Sequence, residues 1–143
     1  AFGGRVERLP QPEVGWLSIH RKDSAAAREW LGDSLQPTVY QWHQDSFVVL
    51  PPGAELLASS AVCPHQAFAL RQHLAMQFHI EITPDKIGDW LEQPGEAYPV
   101  NVLLHRDSVQ DPASMNAATL RHQSDSKAMA DRIYRVWRSR WPG

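Results

Sequence analysis

A chain of 143 residues and 16.2 kDa, with 43% hydrophobic and 21% charged residues, fits one domain able to bury about two thirds of the surface its unfolded form exposes. A formal net charge of −2 gives no basic footprint for nucleic acid or an anionic membrane, and no window approaches the roughly 20 apolar residues of a membrane span. Cys63 is the single cysteine, which excludes a disulfide within the chain and a cysteine-based zinc site and suits a reducing cytoplasm.

The opening Ala1-Phe2-Gly3-Gly4 reads as the tail of a helix and its glycine stop, and no basic segment with an apolar core follows to suggest export. Pro10 and Pro12 predict a loop, and Val14 to Ile19 a short strand. Ser24 is a suitable N-cap for a helix from Ala25 to Leu31, which Gly32 and Asp33 end. Closely spaced strands are expected over Thr38 to Trp42, Phe47 to Leu50, Glu55 to Ser60, Ala67 to Arg71 and Leu74 to His79, with Pro51-Pro52-Gly53 as a tight turn. Connections this short suit antiparallel pairing, since a parallel crossover needs about a dozen residues or more.

Thr83-Pro84 then starts a helix from Asp85 to about Glu92, because Thr caps and Pro is favoured at the first helical position. Gln93 to Pro99 reads as a loop, and Val100 to His105 fits either a strand or a helix. Met115 to Leu120 is expected to be helical. Asp125 to Trp141 forms a longer amphipathic helix with Met129, Ile133, Val136 and Trp137 on one face. Its arginines, Arg132, Arg135, Arg138 and Arg140, fit a solvated helix face.

Two residues stand out chemically. In Gln77-Phe78-His79-Ile80-Glu81 a histidine and a carboxylate lie two positions apart, so on a strand they share one face, starting about 6.6 Å apart. Such a pair can orient an imidazole and move protons for a nucleophile, although the spacing alone is common and no nucleophile is evident. Trp42-His43-Gln44 looks like a binding rim at a strand end, with Asp45 as a turn residue. His43, His65, His73 and His79 show no tight metal-ligand spacing, so no metal is expected. Cys63, flanked by Val62 and Pro64, lacks the glycines of a nucleophile elbow and reads as a small buried hydrophobe.

Several separated segments fit one family in order: Phe2-Gly3-Gly4-Arg5-Val6-Glu7, Pro12-Glu13-Val14-Gly15-Trp16 and Trp42-His43-Gln44-Asp45-Ser46-Phe47, followed by Leu50-Pro51-Pro52-Gly53-Ala54 and Leu57-Ala58-Ser59-Ser60, then by Cys63-Pro64-His65-Gln66-Ala67-Phe68 and Met76-Gln77-Phe78-His79-Ile80-Glu81. Over roughly the first 80 residues the chain resembles the C-terminal part of a class I glutamine amidotransferase domain of the GMP-synthase type. The resemblance implies an α/β fold, flavodoxin-like, with an open sheet, flanking helices and a small β element. Residues 1–143 are then the C-terminal portion of a single domain whose N-terminal part is missing.

The function so implied is hydrolysis of the glutamine side-chain amide, or a related γ-glutamyl amide, to supply ammonia. His79 and Glu81 fall on the histidine and glutamate of a Cys-His-Glu triad, with Ile80 where the family often has proline. Trp42, His43 and Gln44 fall on segments that line the glutamine pocket. The nucleophile, in a Gly-x-Cys-x-Gly turn, is expected upstream, in a segment that this chain would need as partner. A synthase domain or subunit would take the ammonia. No ATP-binding glycine loop is present, and no cofactor is expected. The alternative is a non-catalytic amidotransferase-like module for binding or regulation. An exposed sheet edge and apolar face are expected to make the isolated chain associate with itself, as a homo-oligomer or an aggregate.

Overall fold

In the computed structural model, residues 2–141 are described, and they form two antiparallel sheets flanked by four helices. The longest pairing joins β1 (Arg5–Ser18) to β3 (Thr38–Val49), from Ser18 opposite Thr38 to Arg5 opposite Val49. β3 is continuous, whereas the sequence suggested two strands with a turn at Asp45. His43, Asp45 and Ser46 stay paired with Glu13, Arg8 and Glu7, so that no turn forms. Pro10 and Pro12 likewise lie within β1 instead of in a loop. They fall where the register shifts between Arg8 and Glu13, in a bulge whose residues need no ladder donor.

A second sheet runs in the order β2 (His20–Arg21), β4 (Glu55–Ser59), β5 (Ala67–Leu70) and β6 (His73–Met76), all antiparallel, as the short connections between β4, β5 and β6 require. Between β2 and β3, α1 spans Ala25–Leu31, and the Ser24 side chain accepts the Ala27 N–H at 3.2 Å. α2 (Pro84–Glu92) has Thr83 as its N-cap, and Ile87 is its buried anchor. The undecided stretch from Val100 is helical, part of α3 (Tyr98–Leu104), which takes Tyr98 and Pro99 out of the expected loop.

The two C-terminal helices of the sequence reading are one, α4 (Pro112–Ser139), 28 residues and about 42 Å long. Nothing between Leu120 and Asp125 breaks a helix, and Asp111 caps its start by accepting the Ser114 N–H at 3.0 Å. Ile133 is buried and Met129 and Val136 pack on the core, but Trp137 is 44% exposed and turns toward Trp141 instead. At the other end, Phe2 to Gly4 are not helical, so the expected helix tail is absent from them; Ala1 lies outside the described residues.

One apolar cluster, with Ile19, Trp30, Leu57, Phe78 and Ile133, lies between α1, α4 and the four-stranded sheet. A second, with Val14, Trp16, Tyr40, Ile87, Tyr98 and Met115, joins the long ribbon to the helices. Gly15 sits where these parts cross. At φ 108° it lets the Gln110 amide reach past it to Trp16, accepting the Trp16 N–H at 2.9 Å and donating to the Trp16 carbonyl at 3.0 Å. A Cβ at Gly15 would stand 2.5 Å from Gln110 Oε1.

Candidate active site

β6 ends at Met76, short of the strand expected through His79, because the chain there changes sheets. The Gln77 N–H still donates to Gln66, beside β5, at 2.8 Å, while the His79 N–H donates to the Tyr40 carbonyl of β3 at 2.9 Å. Phe78 fills the core between them, 3% exposed. His79 is thus fixed by its own backbone to β3 of the ribbon, with its side chain turned outward.

There His79 Nδ1 lies 2.7 Å from Glu81 Oε1. Partial burial raises the Glu81 pKa, but the hydrogen bond and charge of His79 and the backbone N–H groups of Glu81 and Ile80 outweigh it and leave Glu81 below the usual carboxylate range. An ionised carboxylate accepts only, so Nδ1 carries the hydrogen of this bond and Nε2 of the neutral ring presents its lone pair. The imidazole can therefore take and return a proton at Nε2 while Glu81 holds its tautomer.

An aromatic wall stands beside the ring. Trp90 of α2 meets it edge-on at 4.9 Å between centroids, and Tyr40 lies at 6.4 Å. Burial, and secondarily Tyr98, push the Tyr40 pKa far above its ordinary value, and its hydroxyl donates to Met115 Sδ at 3.2 Å. Tyr40 therefore stays neutral and adds no competing charge. With side-chain exposures of 27% for His79 and 59% for Glu81, the pair lies on an open face.

Of the three rim residues, only Trp42 joins this wall, stacked on Tyr98 at 5.5 Å and meeting Trp90 edge-on at 5.3 Å. Gln44 is drawn to the neighbouring strand, donating to the Leu9 carbonyl at 3.0 Å and accepting from Arg8 Nη2 at 2.6 Å. His43 points inward. Its Nδ1 lies 2.9 Å from the Asp45 carbonyl and its Nε2 3.2 Å from Glu13 Oε2, with side-chain exposures of 10% for His43 and 3% for Glu13.

The lone thiol, Cys63, is fully buried, lies 3.0 Å from Ser46 Oγ, and makes no hydrogen bond to His79. Burial pushes its pKa up, only partly offset by hydrogen bonds from Ser46 and the His65 N–H, so it has neither the access nor the acidity of a nucleophile. Sequence reasoning did not find that Glu13, His43 and Cys63 meet. They come from three segments whose spacing has no motif; the ribbon register sets Glu13 opposite His43, and the β4–β5 connection brings Cys63 in against Ser46.

No family model matches the chain. Over 95 residues, 61% of its length, it is 31% identical to the GMP synthase (glutamine-hydrolysing) of Chromobacterium violaceum, and over 92 residues 34% identical to that of Listeria innocua. The matches take in 18% and 17% of those proteins, so the chain spans under a fifth of the relatives' length. Among solved structures it superimposes on a glutamine amidotransferase from Methylobacillus flagellatus with a TM-score of 0.87 at 26% identity, covering 99% of this chain and 57% of that one. One from Thermotoga maritima, at TM-score 0.74 and 23% identity, shares the fold.

Proposed function

The chain is related to the class I glutamine amidotransferases and has their fold, and from that premise we propose that it bears the proton-transfer half of a glutaminase site. The observation that carries the proposal is the 2.7 Å contact of His79 Nδ1 with Glu81 on an accessible face, beside Trp90. The nucleophile is a cysteine outside these 143 residues, since the enclosed Cys63 has no route to substrate.

In this reading the thiolate attacks the side-chain amide carbon of glutamine, or of a similar γ-glutamyl amide. His79 Nε2 delivers the proton with which ammonia leaves. The same nitrogen then takes a proton from the water that opens the γ-glutamyl thioester, so glutamate is released and the thiolate regenerated. Glu81 keeps the proton on Nδ1 and stabilises the imidazolium present before the first step and re-formed in the second. Trp90 and Tyr40 flank one side of the ring and Trp42 packs against Trp90, while the backbone around His43 and Gln44 forms the rim. The ammonia passes to a synthase domain or subunit, as the names of the relatives suggest.

The test is release of ammonia and glutamate by the full-length gene product. His79→Ala is expected to lower turnover by at least about a thousandfold, and Glu81→Gln by about a hundredfold or more, with folding intact by circular dichroism. Near-normal turnover in His79→Ala would remove the proposal. A protein inactive before any substitution, though it binds glutamine, would identify a non-catalytic module.

A further inference from the structure

Two strands and one connection meet at a second, largely buried point. Glu13 of β1, His43 of β3 and Cys63 of the β4–β5 connection each offer one ligand atom, and these atoms lie within 4.8 Å of one another. We propose that this cluster is a structural binding site for a divalent transition-metal cation of the zinc type.

The hydrogen bonds around it assign the protons. The Asp45 carbonyl can only accept, so His43 Nδ1–H donates to it at 2.9 Å, and in the neutral ring Nε2 is a lone pair. That lone pair stands 3.2 Å from Glu13 Oε2, close enough for an ion pair but without a hydrogen bond. Two facing acceptors repel, and the ion-pair partner of Glu13 among the described residues is His43 alone. A cation between them relieves that repulsion. A proton would make a buried imidazolium–carboxylate pair, but it would leave Cys63 unused.

The sulfur points to the metal. Cys63 Sγ takes a backbone N–H from His65 and lies 3.0 Å from the Ser46 hydroxyl, so the sulfur is held in place beside the other two ligand atoms. One sulfur, one imidazole nitrogen and one carboxylate oxygen form a borderline-soft set that suits zinc rather than magnesium or calcium. Two negative ligands and a neutral imidazole neutralise a divalent ion, which relieves the cost of burying Glu13 at 2% exposure. On binding, the thiol proton passes to solvent and sulfur bonds the metal.

The surroundings match those of metal ligands elsewhere. The imidazole's second nitrogen is tied to a backbone carbonyl, and the carboxylate accepts from Gln66 Nε2 at 2.5 Å. Ser46 Oγ, 3.0 Å from the sulfur, is hydrogen-bonded to the Cys63 ligand atom itself. A single cysteine rules out a site made of thiolates alone, but it does not rule out this mixed set. Because the point is largely buried, the ion's work is structural: it ties the ribbon to the four-stranded sheet and fixes the strand that continues into Gln44.

Untagged protein stripped with a chelator and titrated with Co2+ tests the proposal. Expected are uptake of one equivalent, a thiolate-to-cobalt charge-transfer band in the near ultraviolet, displacement by Zn2+, and a higher thermal midpoint with Zn2+. Cys63→Ala should lose the band, and Glu13→Gln should bind at least tenfold more weakly. The unsubstituted spectrum needs no variant to fold. Absence of stoichiometric uptake, a cobalt spectrum without sulfur charge transfer, or uptake unchanged in Cys63→Ala would each overturn the proposal. So would a His43 ring carrying a proton on both nitrogens in metal-treated protein, seen by nitrogen NMR.

Discussion

At the scale of single residues, the His79–Glu81 contact makes a pH-dependent contribution to stability that can be signed. The folded pKa of Glu81 lies below its ordinary value, so its contribution is complete above about pH 4.3 and is lost as acid carries the pH down through the lowered value. At 59% side-chain exposure, solvent screening keeps it to under about 1 kcal/mol. Glu81→Gln should therefore be slightly less stable than the parent chain at pH 7 and equal to it at the acid end, in urea unfolding run at several pH values. A gap that stays constant with pH would show that the charge is not the cause. Tyr40 acts on the same site without titrating, as a neutral, packed ring.

At the scale of elements, the crossing of β1 and the segment before α4 rests on Gly15. Substitution by alanine would force a Cβ against Gln110 at a positive φ and break two hydrogen bonds to Trp16, so Gly15→Ala should cost roughly 2 to 4 kcal/mol by denaturant unfolding. A cost below about 1 kcal/mol would mean that Gln110 simply swings away. Caps and turns were legible in the sequence. Ser24 and Thr83 start their helices where the pattern put them, and Pro52 and Gly53 turn the chain. Continuity was not. The unbroken β3 and α4 depend on long-range register and on the absence of a breaker, which local signals read as separate pieces. The juxtaposition of His79 and Glu81 could be read from a two-residue spacing. The inward turn of His43 could not, because the bulge after Arg8 governs which way that part of the ribbon faces.

At the scale of the whole molecule, the apolar surface is unevenly covered. Val100, Leu103 and Leu104 of α3 are 54%, 66% and 70% exposed, and Phe2 and Val6 near the start of the ribbon 61% and 59%. Residues 2–141 as they stand should therefore associate with rising concentration, the second strand-and-helix surface being supplied by another copy. Light scattering behind size exclusion should show the mass climbing between about 1 and 100 µM, and a constant monomer mass over that range would exclude it.

The sealing of Cys63 gives the molecule a clock. One thiol per chain, at zero exposure, sits where the ribbon and the four-stranded sheet meet, so a thiol reagent can reach it only when those two parts separate. The labelling rate then measures the frequency of that opening, much as amide exchange does, but at a single named atom. Fast labelling with the far-ultraviolet spectrum unchanged would mean that the sheets part locally while the helices hold. Labelling that keeps pace with global unfolding would make the junction the last part of the fold to yield.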